Sequence, residues 1–162
     1  MKKIQTLCFF IEGDRIWLGV RTGGKKFGRG LLNGFGGDLE LGETIGQAAR
    51  REFKEESGLE ILSLEKRAVI ESVFKSDPDK IREVHVFWVF DCQGEPTGSE
   101  EMTVQPFFLR EINDLYDRMW PGDRLWFPLF LEEKKFKGRV LYDNPKDKNI
   151  ISSGFKEVKD LD

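Results

Sequence analysis

A single histidine and two cysteines are all the imidazole and thiolate this chain contains. Zinc-finger spacings and the HExxH helix need more such ligands than that. A Ser-His-Asp arrangement would have to use His85, in the strand-like "EVHVFWVF", and no GxSxG elbow is present. His85 therefore reads as a histidine packed or hydrogen-bonded in a sheet. Cys8 and Cys92 each sit in an apolar run. Two such thiols make no disulfide framework, and they read as buried, reduced residues of a cytoplasmic protein. No apolar run reaches about 18 residues, so no membrane span is expected. "MKKIQTLCFFIEGD" has a basic start but meets Glu12 and Asp14 without a small-residue cleavage site, so it reads as a first strand and not a leader. Surplus positive charge is also missing. A net charge of -3 leaves no broad footprint for polyanionic nucleic acid, and no stable nucleic-acid binding is expected. A small phosphorylated ligand remains compatible, because a bound cation supplies charge locally. With no evident self-association segment, a monomer is expected.

What is present suits one globular domain spanning 1–162. Hydrophobic residues make up 39% and charged residues 34%, enough for a core and a solvated surface. "IQTLCFFI" and "RIWLGV" read as strands joined by the hairpin signal "EGD". The glycine-rich "RTGGKKFGRG" reads as a mobile loop whose Lys25 and Lys26 are solvated or steer an anion. A helix over Ile45 to Ser57 follows. "ILSLEKRAVIESVF" and "EVHVFWVFDCQG" read as long strands around the turn "KSDPDK", and "VQPFFLR" as a short one. "REINDLY" and "DRLWFPLFLEEKKF" look helical, while "GRVLYDN" and "IISSGFKEV" look like closing strands. Strands predominate with a few helices inserted, which predicts an α+β fold with a mixed sheet.

The Ile45–Ser57 helix is well specified locally. Thr44 and Gln47 form a capping-box pair, and Gly58 stands where a left-handed residue ends a helix. At about 100° per residue, Ile45, Ala48 and Ala49 share a side with Glu52, Glu55 and Glu56, whereas Arg50, Arg51 and Lys54 fall on the other. Three carboxylates gathered on an inward face repel and raise one another's pKa values, and a divalent cation removes that penalty. Oxygen ligands of this kind suit Mg²⁺ or Mn²⁺. Gly34, Gly36 and Gly37 just before the helix permit turns that side chains would block, and let a carbonyl or N–H approach a ligand. An ordinary amphipathic helix with surface pairs such as Arg51 with Glu55 is the alternative the wheel leaves open.

From Gly37 to Leu59 the chain follows G-x5-E-x7-R-E-U-x-E-E-x-G-U, where U is bulky and apolar; Gly37, Glu43, Arg51, Glu52, Phe53, Glu55, Glu56, Gly58 and Leu59 fill every fixed position. This resembles the signature of the Nudix hydrolases. The resemblance implies a mixed sheet between helices and hydrolysis of nucleoside diphosphate derivatives, with Mg²⁺ (or Mn²⁺) held by the motif helix. Glu52, Glu55 and Glu56 would be the catalytic metal ligands, with the Gly36 carbonyl as a further one. Glu43 and Arg51 would tie loop to helix.

"GLLNGFGGDLELGETIGQAARREFKEESGL", "SEEM", "MWPGDRLWFPLFLEEKKFKG" and "FKEV" are similar, in the same order, to the oxidised-purine nucleoside triphosphatases of the animal MutT type. That branch implies a base read by Asn33, with Phe35 beside it, and a platform at Trp120 and Pro121 with Asp123 as acidic reader. Trp126 would be either a pocket or a core residue. Glu101, beside Glu100, would be an outlying metal ligand, and Thr6, Arg21 and Phe27 would line the pocket. Two departures stand out: Gly122 replaces the first of two acids expected after Trp-Pro, and Ser72 replaces an aromatic. The implied activity is hydrolysis of oxidised purine nucleoside triphosphates to monophosphate and pyrophosphate. A Nudix hydrolase for another nucleotide, or an idle nucleotide-binding module, remains the alternative. The motif does not choose among the glutamates for the base.

Overall fold

The computed structural model describes residues 1–22 and 30–161. Among them eight strands form one mixed sheet. They are β1 (Lys2–Glu12), β2 (Arg15–Arg21), β3 (Leu32–Asn33), β4 (Leu59–Phe74), β5 (Asp77–Gly94), β6 (Met102–Phe108), β7 (Phe136–Tyr142) and β8 (Ile150–Glu157). Their order is β3-β2-β1-β5-β4-β7-β8, with β6 also paired to β2. β1 runs parallel to β5, and β4 parallel to β7; the other pairings are antiparallel. The α+β expectation holds. β7 and β8 close the same sheet that β1 opens.

The sheet centre is covered on both faces, which explains why "TLCFFI" is a continuous apolar run and not an alternating one. Side chains still alternate along β1. Phe9 and Ile11 enter a core with Trp126, Phe127 and Phe130, whereas Cys8 and Phe10 enter one with Phe35, Ala49 and Phe53. Each fully buried phenylalanine of this kind contributes ~1.5–3 kcal/mol.

The first helix, α1 (Ile45–Ser57), matches its expected bounds. Thr44 and Gln47 complete the capping box, and Gly58 takes φ 83 at the other end. The next predicted helix is reduced to a single turn, α2 (Ile112–Leu115), between two 3-10 turns. The last, α3 (Asp123–Leu131), stops earlier than the "EEKKF" extension suggested. Glu133 takes φ 61, its N–H bonds the Phe130 carbonyl, and the Lys134 N–H bonds that of Leu129, a Schellman ending that releases Phe136 into β7. The β4–β5 turn is also tighter than expected, since pairing runs through Phe74 and Asp77. Among the described residues no helix is long and apolar enough to cross a membrane. The "RTGGKKFGRG" loop, with Lys25 and Lys26, lies mostly outside the described residues.

Candidate active site

The chain after β3 runs beside β1. Phe35 exchanges backbone bonds with Cys8 (2.7 and 2.9 Å), and the Thr6 N–H reaches the Gly37 carbonyl at 2.9 Å. Successive peptide groups of an extended chain alternate in direction. With the Phe35 and Gly37 carbonyls turned to β1, the Gly36 N–H and carbonyl turn toward α1. The Gly36 N–H indeed donates to the Glu56 carboxylate at 2.6 Å. Glycine is required here for close approach and not for a turn: Gly36 and Gly37 have no positive φ. A Cβ on Gly36 would lie 1.8 Å from the Thr6 carbonyl oxygen, and one on Gly37 would lie 2.4 Å from the Glu52 carboxyl carbon. The turn argument for these glycines is therefore corrected to a packing one.

α1 presents its glutamates unequally. Ala48, Ala49, Phe53 and Ser57 are buried, so the inward direction passes between Ala49 and Phe53. Glu56 lies nearest that direction, Glu52 farther to the same side, and Glu55 farthest round. Glu52 is accordingly 17% exposed and Glu55 60%. The expectation that all three lean inward is corrected for Glu55. The expected segregation from the arginines fails at Arg51, whose long arm folds back over the glutamates. It bonds Glu43 twice (2.5 and 3.0 Å), Glu52 at 2.8 Å, the Asp38 carbonyl at 3.0 Å and Glu55 at 3.4 Å. The Glu43–Arg51 tie between loop and helix is present as expected.

Burial pushes the Glu56 carboxyl up to about 7, the Gly36 N–H opposes it, and the charges of Glu52 and Glu101 add to the rise while Arg21 opposes it. Glu101 is exposed, and its carbonyl accepts from the Thr22 N–H at 3.0 Å, which ties its segment to the end of β2. Among the described residues no three acidic, histidine or cysteine side chains yet stand at ion-holding distances. The donor chemistry nevertheless fits a hard divalent cation: carboxylates, a carbonyl facing them, and one buried carboxyl that forms no ion pair among the described residues.

Glu56, Gly36 and Gly37 form one end of a cavity of about 280 Å³. Asn33, Trp120, Asp123, Trp126 and Tyr142 form the other, with Thr6, Arg21 and Ser72 along its sides. Sheet register builds its floor: Leu7 pairs with Val86, Val84 with Ile70, and Ser72 with Val140. Asn33 is held opposite Gly19 by the two-residue β3, an element too short to expect from sequence. The Thr6 Oγ1 is buried beside the cavity with no hydrogen-bond partner among the described residues. Asp123 opens α3. Its carboxyl is buried although the residue keeps some exposure, and burial pushes it up to about 7 against hydrogen bonds from Trp126 and Trp120. Trp126 is 3% exposed and serves both as core, against Phe9, Phe127 and Phe136, and as cavity wall. Trp120 is half-buried. Its Nε1 donates to the Tyr142 hydroxyl at 2.9 Å, and the Lys148 ammonium lies 4.6 Å from its ring centre.

Three expected residues stand apart. Phe35 is fully buried in the other core, edge-on to Phe53 at 5.3 Å, because strand alternation turns it away from the cavity. Pro121 and Glu100 are exposed outside the lining. Phe27 lies outside the described residues. Conversely, Tyr142, Phe74 and Arg82 line the cavity unforeseen. The inward alternation of Val140 and Tyr142 in "GRVLYDN" is the signal that could have marked Tyr142. His85 behaves as expected, buried in β5 with Nε2 2.7 Å from Glu83; both cysteines are free, Cys8 buried as expected and Cys92 only half-buried.

Residues 1–130 match the NUDIX domain. The chain is 40% identical over 159 residues to an "Oxidized purine nucleoside triphosphate hydrolase" of Danio rerio, covering 98% of this chain and 97% of that protein. It is 39% identical to the Mus musculus protein of the same name, covering 96% of each. Its fold is similar to a crystal structure of a MutT protein from Bacillus halodurans, with TM-score 0.81 and 22% identity over 95% of this chain and 97% of that one. With the motif complete and its loop and helix folded around one cavity, the chain belongs to the Nudix family.

Proposed function

We propose that this protein, as one domain over 1–162, hydrolyses oxidised purine nucleoside triphosphates such as 8-oxo-dGTP to the monophosphate and pyrophosphate. The observation that carries the reading is one cavity with two chemistries: the Glu56 carboxyl and the backbone of Gly36 and Gly37 at one end, aromatic rings, an amide and a carboxyl at the other. The names borne by the zebrafish and mouse relatives support it.

The base end suits a flat purine. Stacking on Trp120 is worth ~1–3 kcal/mol per base by analogy with nucleic-acid platforms. The Asn33 amide donates and accepts at once, so it reads a purine edge, and Asp123 does the same while it keeps its proton. Trp126 closes the wall behind them, and Thr6 offers an unused hydroxyl. Arg21 counters triphosphate charge at the other end. There Glu52, Glu55, Glu56 and the Gly36 carbonyl, with Glu101 outlying, hold Mg²⁺, for which Mn²⁺ substitutes. The cation supplies charge neutralisation of the triphosphate when bound. Glu52, Glu55 and Glu56 share among them the removal of a proton from the attacking water. Arg51 keeps their backbone in register and, in the unliganded chain, shields two of them from each other. A monomer working in the cytoplasm completes the reading.

The test is pyrophosphate release with and without Mg²⁺ from 8-oxo-dGTP, dGTP, 2-hydroxy-dATP and dATP. Preferential, cation-dependent release from the oxidised pair is the expected result. Release only from dinucleotides would assign a different Nudix substrate, and tight binding without release would make the chain an idle module.

A further inference from the structure

Gly122 has φ −74 at the head of α3, a conformation open to any residue. Its bareness has a different cause. A Cβ there would lie 2.2 Å from the Tyr142 hydroxyl oxygen. Tyr142 ends β7 opposite Phe74 of β4 and projects from the sheet to this point beneath α3. Its oxygen accepts from the Trp120 Nε1–H at 2.9 Å. With the Trp120 indole donating to it, the phenol's own hydrogen turns away from that ring. Among the described residues no bond donated by this hydroxyl is found, and Tyr142 lines the cavity. A buried donor without an acceptor costs free energy that a suitably placed ligand atom recovers.

We infer that Tyr142 is a specificity-determining residue, whose pinned hydroxyl donates to an acceptor atom on the edge of the bound purine from the space a side chain at position 122 would fill. This deepens the purine triphosphate reading above and rests on it. Burial pushes the hydroxyl up to about 12, so it keeps its proton throughout the working range. A fixed donor favours a base edge that presents a carbonyl oxygen or bare ring nitrogen, and it penalises an amino group in the same place.

The experiment compares the native protein with Tyr142→Phe in two assays, hydrolysis of the four triphosphates and calorimetric binding of the four corresponding monophosphates. In Tyr142→Phe, KM for the favoured triphosphate should rise about tenfold with kcat little changed. The spread of affinities across the four bases should narrow by the same factor. Tyr142→Phe/Gly122→Ser carries a hydroxyl from the opposite side into the vacated space and should restore most of that spread; melting curves confirm that both variants fold. A spread unchanged by Tyr142→Phe overturns the assignment. So does an equal loss on all four bases, which would make Tyr142 only a prop for Trp120. If the native protein binds none of the monophosphates, both readings fall. If it binds them selectively through Tyr142 but releases no pyrophosphate, hydrolysis alone falls.

Discussion

Gly36, Gly37 and Glu56 reach one end of the cavity from a single loop and the helix that follows it, with Glu52 one turn back on that helix, whereas Asn33, Trp120, Asp123 and Tyr142 reach the other from β3, the segment before α3, α3 itself and β7. The first group is ordered by local rules. A capping box starts α1, a left-handed glycine ends it, and Arg51 ties it back to Glu43. The second group depends on register across the whole sheet, because Tyr142 finds Trp120 only when β7 pairs correctly with β4. A damaged residue at the first end should therefore abolish chemistry while leaving the fold and base binding intact. Damage at the second should weaken or blur recognition and leave the chemical step alone.

The most severe break of this contrast is Glu56→Gln. The amide oxygen can still accept from the Gly36 N–H, so the loop stays in place. The lost charge should lower kcat by about a thousandfold or more, consistent with removal of a group that acts on the reacting water and the cation. Binding of the purine monophosphate, read by calorimetry, should change less than about threefold. A native turnover number in this variant would remove Glu56 from the chemistry.

Proton linkage touches both ends at once. Glu56 and Asp123 are each raised to about 7 by burial, so the folded chain retains two protons that the unfolded chain releases near pH 4. Stability falls with pH wherever the folded state binds more protons. These two groups therefore destabilise the cation-free protein progressively from about pH 4 to 7, with no further change above that. The size is on the order of 3 kcal/mol per group. His85, lowered mainly by burial, works in the opposite sense over part of that range, so variants carry the test and not the raw slope. Denaturant midpoints at pH 5 and 8 should differ less in Glu56→Gln and in Asp123→Asn than in the native protein. Equal slopes in all three would show that neither carboxyl holds its proton.

The paired tryptophans sharpen the comparison within one wall. Trp120→Ala removes a half-buried platform and should raise KM ten- to a hundredfold, equivalent to ~1–3 kcal/mol of stacking, with a small loss of stability. Trp126→Ala empties a site 3% exposed among Phe9, Phe127, Phe130 and Phe136, and should cost ~3–5 kcal/mol of folding free energy. Steady-state kinetics alongside thermal melts distinguish the two; equal melting losses would place Trp120 in the core as well.

How legible these ends were follows from the same difference. Glu52, Glu56, Gly36 and the bounds of α1 could be read directly, because caps and helical spacing act within a few residues. The inward lean of Glu55 was misread, since a wheel ignores how far an Arg51 side chain reaches and where the helix actually packs. Phe35 was misassigned to the cavity because a one-residue alternation beside β1 decides its face. Tyr142 went unseen altogether. Strand alternation with Val140 marks only which way it faces, and its relation to Gly122 exists only once β4 and β7 are in register.

Lys148 is the mildest probe of the assembled end. It sits at φ 55 in the loop after β7, where its N–H bonds the Asn144 carbonyl and Asp143 bonds Asn149. A non-glycine residue pays a steric penalty for that conformation, and the ammonium 4.6 Å from the Trp120 ring centre offsets it. Such a contact is worth ~0.5–1 kcal/mol at a partly exposed site. Lys148→Ala should then raise KM only about two- to fourfold through a less restrained Trp120, with kcat unchanged. Lys148→Gly should show the same KM while melting no lower than Lys148→Ala, because glycine relieves the backbone. If both variants bind purine as tightly as the native protein, the cation is an ornament of the loop, and Trp120 is held by the Tyr142 hydroxyl alone.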